Sequence, residues 1–79
     1  MRLPRDMSGR DLVRVLCRDW GYRQVHQTGS HAILDTEDPS HHRITVPDHR
    51  SLRIGTLNGI LKAVAEHKGT DRDAILRSF

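Results

Sequence analysis

The sequence predicts an α+β domain in which one helix, three antiparallel strands and a second helix follow one another. Three observations predict it. Residues 12–20 carry apolar side chains at helical spacing, between a capping serine and a glycine. Residues 22–47 break into three short runs separated by turn residues at hairpin distance. Leu57, Ile60, Leu61 and Val64 then fall at i, i+3, i+4 and i+7. A chain of 79 residues has room for one domain. The domain reads as 1–79, with a core over 8–68, a loose basic lead over 1–7 and a short extra helix over 70–79.

Ser8 is placed to cap the first helix, because Asp11 follows three residues later. Leu12, Val13, Leu16, Cys17 and Trp20 form its apolar stripe, and Arg10, Arg14 and Arg18 its opposite side. Gly21 stands at the C′ position, where positive φ costs glycine little. Tyr22 to Thr28 reads as a first strand and Gly29-Ser30 as a tight turn. His31 to Asp35 follows as a second strand, Thr36 to Ser40 as a turn, and Arg43 to Val46 as a third strand stopped by Pro47. The second helix begins near Gly55-Thr56, with Lys62 and Glu66 as an exposed i,i+4 pair, and ends at Gly69. Thr70, with Asp73 three residues on, opens the short helix that carries Ile75, Leu76 and Phe79.

Alternation gives the sheet two faces. Ala32, Leu34, Ile44 and Val46 point toward the helices, and His31, Ile33, Arg43 and Thr45 point away. This places His31 beside Arg43 on a partly basic outer face. An α-β-β-β-α order with the long helices on one sheet face is the layout of the double-stranded-RNA-binding fold. A fold alone assigns no activity.

Composition narrows the classes. Thirteen Lys and Arg against ten Asp and Glu give a net charge of +3, compatible with an anionic partner such as nucleic acid. Between Pro39 and Lys62 the basic residues Arg43, Arg50, Arg53 and Lys62 face a single acid, Asp48. The one cysteine, Cys17, allows no internal disulfide and suits a reducing cytoplasm. No apolar run approaches the roughly 18 residues of a membrane span, and the start MRLPRDMSGR lacks the apolar core of a signal peptide.

Six histidines are present, four of them between His31 and His49. Imidazole exchanges protons near neutrality, which is the main requirement for cutting RNA. A base takes the 2′-OH proton and an acid protonates the departing 5′-oxygen. The substrate supplies the nucleophile, so neither a triad nor a metal is required. His31 is the candidate, because the small-residue turn Gly29-Ser30 lets a phosphate approach backbone N–H groups. The same residue also reads as an ordinary exposed strand histidine after a hairpin turn.

Gly29-Ser30-His31 before an apolar strand resembles the G-S-H motif of the HicA mRNA interferase toxins. Ile44-Thr45-Val46-Pro47-Asp48-His49 resembles that family's strand ending in P-x-H. Gly55-Thr56-Leu57 with Ile60-Leu61 resembles its G-T-L-x-x-I-L helix opening. The three elements stand in the family's order and spacing, and the likeness runs from about Ser8 to Val64. It implies a fold like the double-stranded-RNA-binding domain, metal-independent endoribonuclease cleavage of mRNA without a cofactor, and restraint by a HicB-type antitoxin. It maps the catalytic histidine onto His31, with Gly29 and Ser30 shaping the turn. The lead before Ser8 and the helix after Gly69 depart from the usual short pattern.

Other residues carry weaker signals. His49 reads as a second acid/base group or phosphate ligand, or as a loop residue holding its turn by hydrogen bonds. His41, His42 and His49 fit no zinc spacing, and neighbours on a strand face opposite sides, so no metal site is expected. Arg23, Arg43, Arg50, Arg53 and Lys62 are candidates for RNA backbone contacts, and the same charge would suit an acidic antitoxin. Trp20 and Cys17 fall on the core stripe, and Ser30 lacks the acid partner of a nucleophile. The alternative function is a non-catalytic RNA- or antitoxin-binding module of the same fold.

Overall fold

The protein is described by a computed structural model covering residues 3–79; Met1 and Arg2, the start of the basic lead, lie outside the described residues. Helix α1 spans Gly9–Asp19, strands β1, β2 and β3 span Arg23–Thr28, His31–Thr36 and His42–Pro47, and helices α2 and α3 span Ile54–Lys68 and Arg72–Leu76. This is the anticipated α-β-β-β-α order, an open sheet with its helices on one face, consistent with a double-stranded-RNA-binding-like fold.

Local chemistry sets the boundaries. Ser8 accepts the Asp11 amide at 3.0 Å and starts α1. Gly21, at φ +72°, turns the chain out of that helix. Gly69, at φ +69°, closes α2, its amide donating to the Ala65 and Glu66 carbonyls. The cap of α3 is one residue later than the sequence suggests. Asp71, not Thr70, accepts the Ala74 amide at 2.8 Å, because a carboxylate one residue nearer reaches the first free N–H groups.

The sheet order is β1-β2-β3, all antiparallel. Ala32 pairs with Val46 and Leu34 with Ile44, and all four are buried under the helices. Leu12 and Leu16 from α1, Leu57, Leu61 and Val64 from α2, and Ile75 from α3 are fully buried with Leu34 and Val46. The fully occluded side of α1 is Leu12, Val15 and Leu16, while Val13, Cys17 and Trp20 are only half-buried. The predicted stripe is therefore rotated, and the residues that follow α3 cover its flank: Trp20 Nε1 donates to Ser78 Oγ at 3.0 Å, and Arg18 donates to the Ser78 carbonyl at 3.1 Å.

Residues 3–7 are not a loose lead where described. Met7 is buried, Leu3 packs against the core, and the Met7 carbonyl accepts the Leu52 amide at 2.8 Å. Lys62 and Glu66 are both exposed without an ion pair between them. No helix among the described residues is long and apolar enough to cross a membrane.

Candidate active site

Thr28 pairs with His31 across the two-residue turn Gly29-Ser30. Gly29 has φ +55° and Ser30 does not have positive φ, the sign pattern of a type II′ hairpin, which calls for glycine at its first central position. A Cβ on Gly29 would meet nothing within 4 Å, so the backbone angle, not crowding, selects glycine there. Ala32, the next residue, is buried, and His31 consequently stands on the outer face of the sheet. Its ring is exposed and makes no hydrogen bond or ion pair among the described residues.

The backbone behind this turn is tied to two other segments. His31 pairs with Pro47, and the Asp48 amide donates to the Ser30 carbonyl. The Gly9 amide at the start of α1 donates to the His49 carbonyl at 2.9 Å. That approach leaves no room for a side chain, since a Cβ on Gly9 would lie 1.9 Å from the Pro47 carbonyl oxygen. The turn, the Pro47–His49 segment and the helix start thus form one backbone unit.

His49 holds this unit through its carbonyl; its imidazole makes no hydrogen bond among the described residues. The ring lines an open groove with Ser8, Arg10, Asp48 and Arg50. His31 is not among the residues that line this groove. A second cavity of about 180 Å³ lies between α1 and the hairpin, on the helix side of the sheet, lined by Arg10, Gln24, Gln27, Ala32 and Asp48 among others.

Arg43 is not beside His31, contrary to the expectation from alternation. It pairs across the sheet with Asp35, at the far end of β2, while His31 pairs with Pro47. Alternation fixes the face but not the distance along it. Arg43 also forms a bidentate bond to Asp35, at 2.7 Å from Nε and 2.9 Å from Nη2. That guanidinium holds the Asp35 carboxyl below its ordinary value. Arg23 lies across β1 from Asp35 on the same face and is exposed. Arg50 lines the His49 groove, Arg53 precedes α2, and Lys62 is on the exposed side of α2. The five basic candidates therefore do not form a single patch around His31.

Sequence reasoning missed His26. The β1–β2 register steps between Gln24 and His26, so Val25 forms a bulge. Arg23 and Thr28, which pair with the outward residues Asp35 and His31, then share their face with His26, which pairs with Ile33. Simple alternation from Arg23 would have placed His26 on the opposite side. His26 is exposed, and its ring makes no hydrogen bond among the described residues.

The remaining histidines are occupied at the other end of the molecule. His41 Nδ1 bonds Glu37 at 2.8 Å. His42 stacks on His67 with centroids 4.4 Å apart and bonds the Tyr22 hydroxyl at 2.8 Å through Nδ1. His67 Nε2 donates to the Ser40 carbonyl at 2.8 Å. Burial, and then the neighbouring His67, His41 and Lys68, push His42 below its ordinary value, and burial pushes Tyr22 up to about 12. Cys17 is half-buried and its thiol is raised by burial, as suits a packed side chain rather than a nucleophile.

Together these features define a small α+β protein with helices on one sheet face and an imidazole-bearing, solvent-open opposite face. The chain belongs to the HicA toxin family of bacterial toxin–antitoxin systems: the family model described as "HicA toxin of bacterial toxin-antitoxin" matches residues 9–65, well over half of its length. No curated protein and no solved structure matches it significantly. The matched span contains the Gly29-Ser30-His31 turn, Pro47–His49 and Gly9, and stops before α3.

Proposed function

We propose that this chain is the toxin half of its pair by virtue of endoribonuclease activity on mRNA, with His31 as a proton-transfer group. The observation that carries the reading is the state of His31. Its imidazole is exposed, unpaired among the described residues and held at a hydrogen-bonded turn, within the segment that matches the toxin family. A neutral imidazole takes the proton from a ribose 2′-OH while the oxygen attacks the adjacent phosphorus. The bond to the 5′-oxygen breaks, and that oxygen receives a proton. The products are a 2′,3′-cyclic phosphate and a free 5′-hydroxyl. The chemistry consumes no cofactor, and the substrate brings its own nucleophile.

Gly29 and Ser30 set the approach to His31. Arg23, on the same sheet face, is the basic candidate best placed to meet an RNA backbone there; Arg50, Arg53 and Lys62 serve backbone strands running off that face or an acidic surface of a HicB-type antitoxin. The cytoplasm, where mRNA is found, is the proposed place of action. Inducing the wild-type chain and the His31→Ala chain in parallel, and following growth and total mRNA, tests the reading. Growth arrest with mRNA loss in the wild type alone supports it. Arrest with both chains favours toxicity by binding, without cleavage.

A further inference from the structure

We propose that His26 is the second acid–base group of this site, acting with His31 on the same phosphodiester. The proposal rests on the RNA-cleavage reading above and adds to it the identity of the second proton-transfer group.

In an in-line displacement the attacking 2′-oxygen and the departing 5′-oxygen lie on opposite sides of the phosphorus. One proton must leave the first as another reaches the second, so two groups a few ångströms apart serve the step better than one. His31 begins β2, and His26 lies on the neighbouring strand, two pairs further along: Thr28 pairs with His31, and His26 with Ile33. Residues so related are diagonal neighbours on one face, roughly 7–8 Å apart at the backbone and within reach of long or aromatic side chains. Both rings are exposed and without a partner among the described residues, which leaves their nitrogens available to a substrate.

The Val25 bulge makes this arrangement possible. It moves His26 and Thr28 onto the outer face that His31 occupies, and sends Gln27 to the helix side, where it lines the cavity beside α1 with Gln24. The other titratable or charged groups on this side are Arg23 from β1, Asp35 from β2, Arg43 from β3 and, beyond Asp35 at the far end from His31, His41 bonded to Glu37. The helices pack on the opposite face. Asp35 is tied to Arg43 by two hydrogen bonds, which keeps it ionised and unable to donate. The two guanidiniums remain charged throughout and cannot exchange a proton near neutrality. His49, the other candidate, lies beyond the end of β3 and so is not on the sheet face, and it lines a groove with Ser8, Arg10 and Arg50. His26 is left as the exposed imidazole on this face, diagonal to His31 and without a bond to another described residue.

In the step itself one imidazole, neutral, accepts the 2′-OH proton as the O2′–P bond forms. The other, as imidazolium, gives its proton to the 5′-oxygen as the P–O5′ bond breaks. The pair ends with its protonation states exchanged, and no other reactant is needed.

The test is single-turnover cleavage of a defined RNA against pH by the wild-type, His26→Ala, His26→Gln and His31→Ala proteins, with RNA binding measured in parallel. The wild type is expected to give a bell-shaped profile. Loss of His26 lowers cleavage by about 10²- to 10⁴-fold, removes one limb of the bell and leaves RNA binding near wild type. A substrate with sulfur at the bridging 5′ position has a leaving group that needs no proton. It should restore cleavage to whichever variant lacks the acid and leave the other slow. Wild-type cleavage by His26→Ala, or a profile retaining both limbs, overturns the assignment of His26 while leaving His31 and the nuclease reading in place. A wild-type protein that cuts no RNA instead refutes the nuclease reading, and the pair with it.

Discussion

The amide of Asp48 donates to the carbonyl of Ser30, the residue immediately before His31. One hydrogen bond thereby couples the turn that presents the candidate catalytic imidazole to the segment leaving β3. The Gly9 amide, bonded to His49, extends the same coupling to the start of α1. Site geometry and fold stability are linked through these contacts.

Gly9→Ala should therefore be costly. Its Cβ would sit 1.9 Å from the Pro47 carbonyl oxygen and 2.9 Å from the carbonyl carbon, both backbone atoms that no rotamer change relieves. A loss of about 3 kcal/mol is expected, the upper range for overpacking, read from the denaturant midpoint. RNA cleavage should fall as well, because the displaced segment is the one bonded to Ser30. Wild-type stability in this variant would show that α1 does not sit against Pro47 as described.

Gly29→Ala separates strain from crowding. Nothing lies near the new methyl group, but φ is +55°. A cost of about 1–3 kcal/mol is expected from the backbone alone. In temperature-matched assays on the folded fraction, cleavage should drop further than unfolding explains, because the turn sets where His31 stands.

The helix beyond the family match belongs to the core. Ile75 is fully buried, and Arg72 Nη1 on the same helix donates to Asn58 Oδ1 at 2.9 Å. Ile75→Ala should cost about 2–5 kcal/mol, checked by thermal or chemical denaturation. Whatever fraction remains folded should retain its activity on RNA, since α3 contributes no residue to the outer face.

The stacked pair His42–His67 predicts a pH dependence of stability. His42 titrates below its ordinary value of 6.5 in the folded protein, through burial first and then its basic neighbours. Below pH 6.5 the unfolded chain binds a proton that the folded chain resists, so unfolding takes up protons and stability rises with pH in that range. The contribution is fully present above pH 6.5 and is lost as the pH falls toward the folded-state value. Melting temperatures should decline between about pH 7 and 5, and the slope should be shallower in His42→Gln. An unchanged slope would place the proton uptake elsewhere.

Much of the architecture was legible in the residues themselves. Ser8 with Asp11, the apolar spacing of Leu57, Leu61 and Val64, and the glycines at 21, 29 and 69 each carry a local physical cause, and the elements begin and end close to where those causes operate. The face of His31 was legible because Ala32 and Leu34 fix the alternation of β2. Arg43 was misplaced because alternation gives a face and not a register; pairing with Asp35 depends on the length of the Thr36–His41 connection. His26 was missed because a bulge has no fixed sequence signal, and the extra residue at Val25 reverses the alternation after it. The α1 stripe is rotated toward Val15, beside Ser78 and Phe79 from the far end of the sequence, which no local pattern in α1 reports. The anchoring of Met7 came from a contact with Leu52, distant in sequence.

The most direct test of the account is cleavage of a defined RNA by purified wild-type and His31→Ala proteins, with a chelator present and their folds matched by circular dichroism. The account predicts cyclic-phosphate-ended fragments from the wild type and intact RNA from the variant. Cleavage by a well-folded His31→Ala protein at the wild-type rate would contradict it.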